Sequence, residues 1–204
     1  MKKIVLSLLV IAAMTSLQAN AFDVVSALKF WDRATEAQTA EAQTTKTLEE
    51  IETQMATIDK SVQEAFIGII SDLSTRKEVK SIKSDLKSNS ANLTNIISTY
   101  TAKIANSKED FVKKVNSLSE KEKTALANNL AVLSEGAQQY LLLATDGVKT
   151  ASNALKTSQR LSDFATTVTN INNVAGQLKN RATTVINLAN QMKTIAQTAG
   201  VTVQ

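Results

Sequence analysis

The stretch LEEIETQMATIDKSVQEAFIGI, residues 48–69, decides the fold class of this chain. Its apolar residues recur at alternating gaps of three and four positions: Leu48, Ile51, Met55, Ile58, Val62, Ala65 and Ile69. Such an a/d seam is typical of a helix that packs lengthwise against other helices. The same frame extends back through Ala37 and Ala34 to Phe30, with Glu41 and Thr44 as polar interruptions. It predicts a single first helix from about Asp23 to about Leu73.

Two S/T-x-x-E patterns mark the starts of later helices. TRKE at residues 75–78 predicts a second helix that continues to about Leu118, and SEKE at residues 119–122 predicts a third. In this pattern the hydroxyl and the carboxylate satisfy backbone N–H groups that have no partner inside the helix. Asn89 and Ser107 interrupt the apolar seam of the second helix, which predicts looser packing at both positions.

The break between the third and fourth helices has three candidate positions in the sequence. They are Asp146-Gly147, the polar stretch 156–162 and the Asn/Thr-rich stretch 166–176. A break within 158–162 is favoured, because it leaves four helices of comparable length. Gly200 is expected to end the fourth helix, since glycine adopts the left-handed backbone that often follows a helix.

The composition favours an elongated all-α bundle with an aliphatic core. The chain has no Pro, five Gly and 4% aromatic residues, so long uninterrupted helices are compatible with it. It also has no Cys, and its stability must come from packing. Gly136 is predicted to be a point of close contact between antiparallel helices, and residues 201–204 are predicted to fray. A strand added to a partner's sheet is the less favoured alternative for this tail.

The first 21 residues have the features of a secretory signal peptide. Lys2 and Lys3 precede an apolar run over 4–13, and Ala19-Asn20-Ala21 is an A-x-A cleavage site. A membrane anchor is the alternative, and the short apolar run argues against it. We therefore expect an exported protein, periplasmic or extracellular, whose mature chain of residues 22–204 forms a single domain.

The start of the mature chain is a candidate contact for a partner or a membrane. It is apolar nearly all round the predicted helix, at Phe22, Val25, Leu28, Phe30 and Trp31 among other positions. The favoured interpretation is that these residues plug the end of the bundle, since a chain poor in aromatics would use its Trp as a core anchor. The alternative is a docking patch for a protein partner or a membrane surface.

A second candidate is a basic stripe on the predicted second helix. Four of its cations recur at helical spacing, and they are Arg76, Lys80, Lys83 and Lys87. Residues 23–72 hold ten acidic and four basic side chains, whereas residues 73–118 hold nine basic and four acidic ones. The favoured interpretation pairs the stripe with acidic residues of the first helix, namely Asp59, Glu64 and Asp72. The alternative is contact with an anionic surface such as lipid headgroups or cell-wall polymers.

The residue types present do not indicate an enzyme. With no His and no Cys, the chain lacks Ser–His and Cys–His nucleophile pairs and the common zinc and iron ligand sets. No phosphate-binding or dinucleotide motif occurs, so no cofactor and no metal are predicted. No basic surface interleaved with aromatics is evident, and nucleic-acid binding is not expected.

The function predicted from these features is structural. The chain is expected to be a non-enzymatic structural or protein-interaction component of the bacterial envelope or cell surface, with protein partners or self-association. In architecture alone it resembles helical subunits of bacterial secretion machines and pili. The alternative is a membrane-active or lipid-binding bundle that lays apolar helix faces on a bilayer.

Overall fold

The computed structural model describes residues 47–88, 92–157 and 161–203. Within these ranges the protein is all-helical and has no strand, which confirms the predicted fold class. Six helices follow one another along the chain: α1 (Leu48–Leu73), α2 (Arg76–Ser88), α3 (Leu93–Asn106), α4 (Lys108–Asn116), α5 (Glu120–Thr157) and α6 (Leu161–Thr198).

Helix α1 begins at Leu48, and the prediction of one helix continuing from about Asp23 is wrong at this point. Thr47 is the N-cap, with extended backbone at φ −70° and ψ 162°. Its hydroxyl accepts the Glu50 N–H at 3.2 Å, and the Glu50 carboxylate accepts the Thr47 N–H at 2.7 Å. This reciprocal cap starts α1 at Leu48, although the apolar frame resumes on the N-terminal side of it. The residues before Thr47 lie outside the described ranges.

The predicted second helix is divided, so its prediction as one continuous element is also wrong. Three helices, α2, α3 and α4, take its place. Ser107 separates α3 from α4 with a non-helical backbone at φ −133° and ψ 35°. A serine competes for backbone hydrogen bonds and interrupts the apolar seam here, so little packing energy opposes the break. The other division falls beside Asn89, and residues 89–91 are outside the described ranges.

The starts and ends of the two longest helices follow the sequence closely. The Ser119 hydroxyl accepts the Glu122 N–H at 3.4 Å and the Glu122 carboxylate accepts the Ser119 N–H at 2.7 Å, so this capping box is confirmed. Helix α5 runs unbroken through Asp146 and Gly147, and it ends at Thr157. Helix α6 begins at Leu161, inside the favoured range 158–162 for the break, and residues 158–160 lie outside the described ranges.

The C-terminal turn is packed, and the prediction that it frays is wrong for Val201. Gly200 has φ +73°, the left-handed conformation expected of a residue that ends a helix. The Gly200 N–H donates to the Gln197 carbonyl at 3.0 Å and the Val201 N–H to the Ala196 carbonyl at 2.9 Å, which is the Schellman pattern. Val201 is consequently folded back against the core and is buried.

The core lies between α1, α5 and α6, with α3 and α4 packed along α6. Most of the first predicted seam is buried, including Ile51, Val62 and Ile69. Gly136 of α5 is the predicted close contact, since a Cβ there would come within 2.5 Å of the Val62 side chain. Further along, Gly147 lies near Ile51, so contacts progress in opposite directions along α1 and α5.

Three aromatic rings join α1 to the short helices. Phe66 and Tyr100 meet edge to face with centroids 5.5 Å apart, and Tyr100 and Phe111 do the same at 5.9 Å. The Tyr100 hydroxyl lies 2.6 Å from that of Ser74, at the end of α1. Tyr100 therefore fixes α3 against both α1 and α4, with its polar tip satisfied.

Alkaline pH should weaken the protein through Tyr100. Burial raises the pKa of the Tyr100 phenol from 10.0 to about 12, and the nearby Glu78 charge adds to this while the Ser74 hydrogen bond opposes it. Because its pKa is raised in the folded protein, the protonated phenol contributes about 3 kcal/mol to the free energy of unfolding below pH 10. This contribution is lost as the pH rises towards 12. Urea unfolding of the wild type and of Tyr100→Phe across this range measures it. The wild type should lose more stability than the variant, and equal losses would contradict the assignment.

Candidate functional site

Helix α2 is held to the rest of the protein at its N-terminal turn. The Thr75 hydroxyl accepts the Glu78 N–H at 3.3 Å, as the capping pattern predicts. The Glu78 carboxylate, however, accepts a hydrogen bond from Lys103 Nζ on α3 at 2.5 Å. Glu78 therefore links α2 to α3, and its charge is matched by that of Lys103.

The basic face of α2 consists of Arg76, Lys80, Lys83 and Lys87. Their spacing of four, three and four residues places them on one side of the helix, as predicted. All four side chains are exposed. Among the described residues none of them forms an ion pair.

The favoured interpretation that this face pairs with acidic residues of α1 is wrong. Asp59 accepts hydrogen bonds from Tyr140 and Arg181 instead. The pKa of Asp72 is raised, first by burial and then by the negative charge of Glu122. An ammonium group beside Asp72 would lower that pKa, so the raised value fits a carboxylate neighbour and not the basic face. Glu64, the third predicted partner, is exposed.

The basic face borders a cleft of about 560 Å³. The cleft is completed by Ser71 of α1 and by Val79 and Ser84 of α2. Among the described residues, the lining thus combines four cations, two hydroxyl groups and one apolar side chain, and holds no carboxylate. Such a lining suits an anion, because cations and hydroxyl groups both donate hydrogen bonds to anionic oxygens.

The acidic residues of α2 do not offset this charge. Glu78 and Asp85 lie about half a turn around the helix from Arg76 and Lys83 respectively, at 100° per residue. Glu78 is engaged by Lys103. The positive potential of the cleft is therefore not cancelled within the helix that carries it.

A buried polar cluster joins three helices on another part of the molecule. Asp59 of α1 accepts the Tyr140 hydroxyl of α5 at 2.5 Å, and the same oxygen accepts a hydrogen bond from Arg181 of α6. The Asp59 and Arg181 side chains are only 16% and 14% exposed. Burial and the Asp59 contact raise the pKa of Tyr140, so its hydroxyl stays protonated and donates. This cluster orients the helices, because each member satisfies the others away from water.

Sequence reasoning missed the part that Arg181 plays. A signal was present, since Arg181 directly precedes Ala182, an apolar position of the predicted fourth helix. The interaction joins residues 122 positions apart, and no local pattern encodes such a pairing.

The other predicted contact patch cannot be placed. Phe22, Val25, Leu28, Phe30 and Trp31 all lie outside the described residues. In the part of the chain that the structure describes, no three or more acidic side chains come together to hold a metal ion. Of the helices that are described, none has both the length and the apolar character needed to span a bilayer.

Comparison of the chain with protein-family models, with curated proteins and with solved structures finds no match. The functional argument consequently depends on the geometry of the basic face and on the sequence features described above.

Proposed function

We propose that this protein is an exported, non-enzymatic helical-bundle protein that acts as a structural or interaction component of the bacterial envelope or cell surface. The observation that carries the proposal is the basic face of α2. Four exposed cations, which form no ion pair with any described residue, border one cleft on a helical scaffold with a buried apolar core. Unmatched surface charge of one sign favours association with a partner of the opposite sign.

The proposed architecture is an elongated antiparallel bundle with four columns. Helices α1, α5 and α6 form three of them, and α3 together with α4 forms the fourth. Two features support it: α5 and α6 contain 38 residues each, about 57 Å of helix, and only a short connection joins them. An extended bundle of this kind presents α2 to solvent while the long helices provide rigidity.

Export is part of the proposal and depends on the signal-peptide pattern of residues 1–21. Proteolytic removal after Ala21 would leave Phe22 as the first residue. Mass spectrometry of the protein from its native host tests this. An N-terminus at Phe22 agrees with export, and an intact Met1 overturns it.

Binding to the envelope is the direct test of the proposed function. The mature protein, residues 22–204, should co-sediment with envelope fractions of the host. A variant with the basic face neutralised by four substitutions to Gln should co-sediment at least about tenfold less, since each cation near an anionic surface contributes about 1 kcal/mol. Equal sedimentation of both proteins would exclude the basic face as the contact, and sedimentation of neither would exclude the function.

A lipid-binding bundle is the second candidate. The observation that favours it is the amphipathic character of α2, in which the apolar Val79 borders the same cleft as the cations. Helices with a basic edge beside an apolar edge lie on anionic membranes. Co-sedimentation with vesicles made of purified anionic lipid, without protein or cell-wall material, distinguishes this candidate from the first.

A further inference from the structure

We propose that the basic face binds a linear polymer of repeated phosphates, which lies in the cleft along α2. This inference rests on the proposed function and names the class of partner. It assigns a ligand chemistry to a surface whose cations form no ion pair with any residue that the structure describes.

The dimensions of the face suit an extended strand. Arg76 and Lys87 are eleven residues apart, which corresponds to about 16 Å along the helix. The four cations follow one another at about 4.5–6 Å along that line. A strand with closely spaced anions can meet all of them in turn, whereas a single small anion can meet only one or two.

The groups that line the cleft favour phosphate. Arg76 can donate two parallel hydrogen bonds to one phosphate, and the lysines contribute compact positive charges. The hydroxyl groups of Ser71 and Ser84 add neutral donors on the same lining. In the part of the chain that the structure describes, no aromatic side chain lines the cleft, so these residues offer the bases of a nucleic acid no stacking surface.

A flat bilayer fits this surface less well than a strand. The site is an open cleft, and Leu86, the most apolar residue near the C-terminal end of α2, is 2% exposed and packs in the core, so its side chain is not available to insert into lipid.

Calorimetric titration of the mature protein with inorganic polyphosphate tests the inference. The test variant carries Arg76→Gln, Lys80→Gln, Lys83→Gln and Lys87→Gln. Its matched control loses the same charge at four exposed lysines elsewhere, through Lys60→Gln, Lys108→Gln, Lys113→Gln and Lys121→Gln. Thermal melting followed by circular dichroism must show that both variants are folded, and both should be, because all eight side chains are exposed.

The expected results differ between the two variants. The wild type should bind polyphosphate, with log K falling against log salt at a slope of about −3 for four neutralised phosphates. The test variant should bind at least about a hundredfold more weakly. The control should stay within a few-fold of the wild type, because its lysines do not border the cleft.

Three results would overturn the inference. One is an equal loss in the control variant, which would indicate net charge alone. Another is wild-type binding to anionic lipid vesicles without binding to polyphosphate, which would assign the face to a membrane. A third is the absence of any polyphosphate binding while envelope binding persists, which leaves the proposed function standing and removes only this partner. Polyphosphate binding without envelope binding would instead support the inference and contradict the proposed function.

Discussion

Arg181→Met is expected to lower the free energy of unfolding by about 3–5 kcal/mol. The substitution leaves the Asp59 carboxylate buried with only the Tyr140 hydroxyl as a partner. Removing one member of a buried ion pair is costly, because the remaining charge has lost both water and its counter-charge. The Asp59 side chain is 16% exposed, so partial hydration places the expected loss at the lower end of that range. Urea denaturation of the wild type and the variant measures it.

The control for this prediction removes the entire polar cluster. A triple variant with Asp59→Leu, Tyr140→Phe and Arg181→Met replaces the three groups by apolar ones of similar size. Because no buried charge remains, it should recover most of the stability that the single substitution loses. If Arg181→Met alone has the same free energy of unfolding as the triple variant, the polar cluster does not hold α1, α5 and α6 together.

Phe66→Ala is the second substitution with a large expected effect, about 3–5 kcal/mol of lost stability. Phe66 is 0% exposed and meets Tyr100 edge to face. Its removal leaves a cavity where α1 packs on α3, and it also removes the ring contact, whose value beyond burial is about 1 kcal/mol. Thermal or urea unfolding reports the loss, and near-ultraviolet circular dichroism should report a changed Tyr100 environment.

Leu142→Ala is the matched control for Phe66→Ala. Leu142 is 41% exposed, so its truncation removes a large apolar side chain without creating a closed cavity. The expected change is within about 0.5 kcal/mol. If the two truncations cost the same, the aromatic cluster would not be the point at which the short helices attach to the bundle.

Local signals in the sequence were enough to locate several helix ends. Ser119 with Glu122 starts α5, and Gly200 ends α6, because caps depend on residues three or four positions apart. Thr47 with Glu50 is an equally local cap. The prediction of one long helix followed the apolar frame through its polar interruptions at Glu41 and Thr44. Such a frame reports only which face is buried and not whether the backbone is continuous.

The sequence predicted which residues form the basic face, but it did not predict what lies opposite that face. Helical spacing alone places Arg76 and Lys87 on one face of α2. Whether that face meets carboxylates or solvent depends on how α2 is positioned against α1, and charge complementarity between helices was a poor guide to it. Exposed ion pairs contribute too little energy to decide how helices dock.

The sequence by itself determined the all-helical class, the aliphatic seams and most of the caps, because each of these follows from interactions within one or two helical turns. Only the tertiary structure decided that Asp59 joins Arg181 and Tyr140, and that the basic face forms no ion pair with the other described residues. These outcomes depend on which helices pack together. Burial of apolar surface over the whole core determines which helices pack together. The packing of the helices then determines which groups surround each charged side chain.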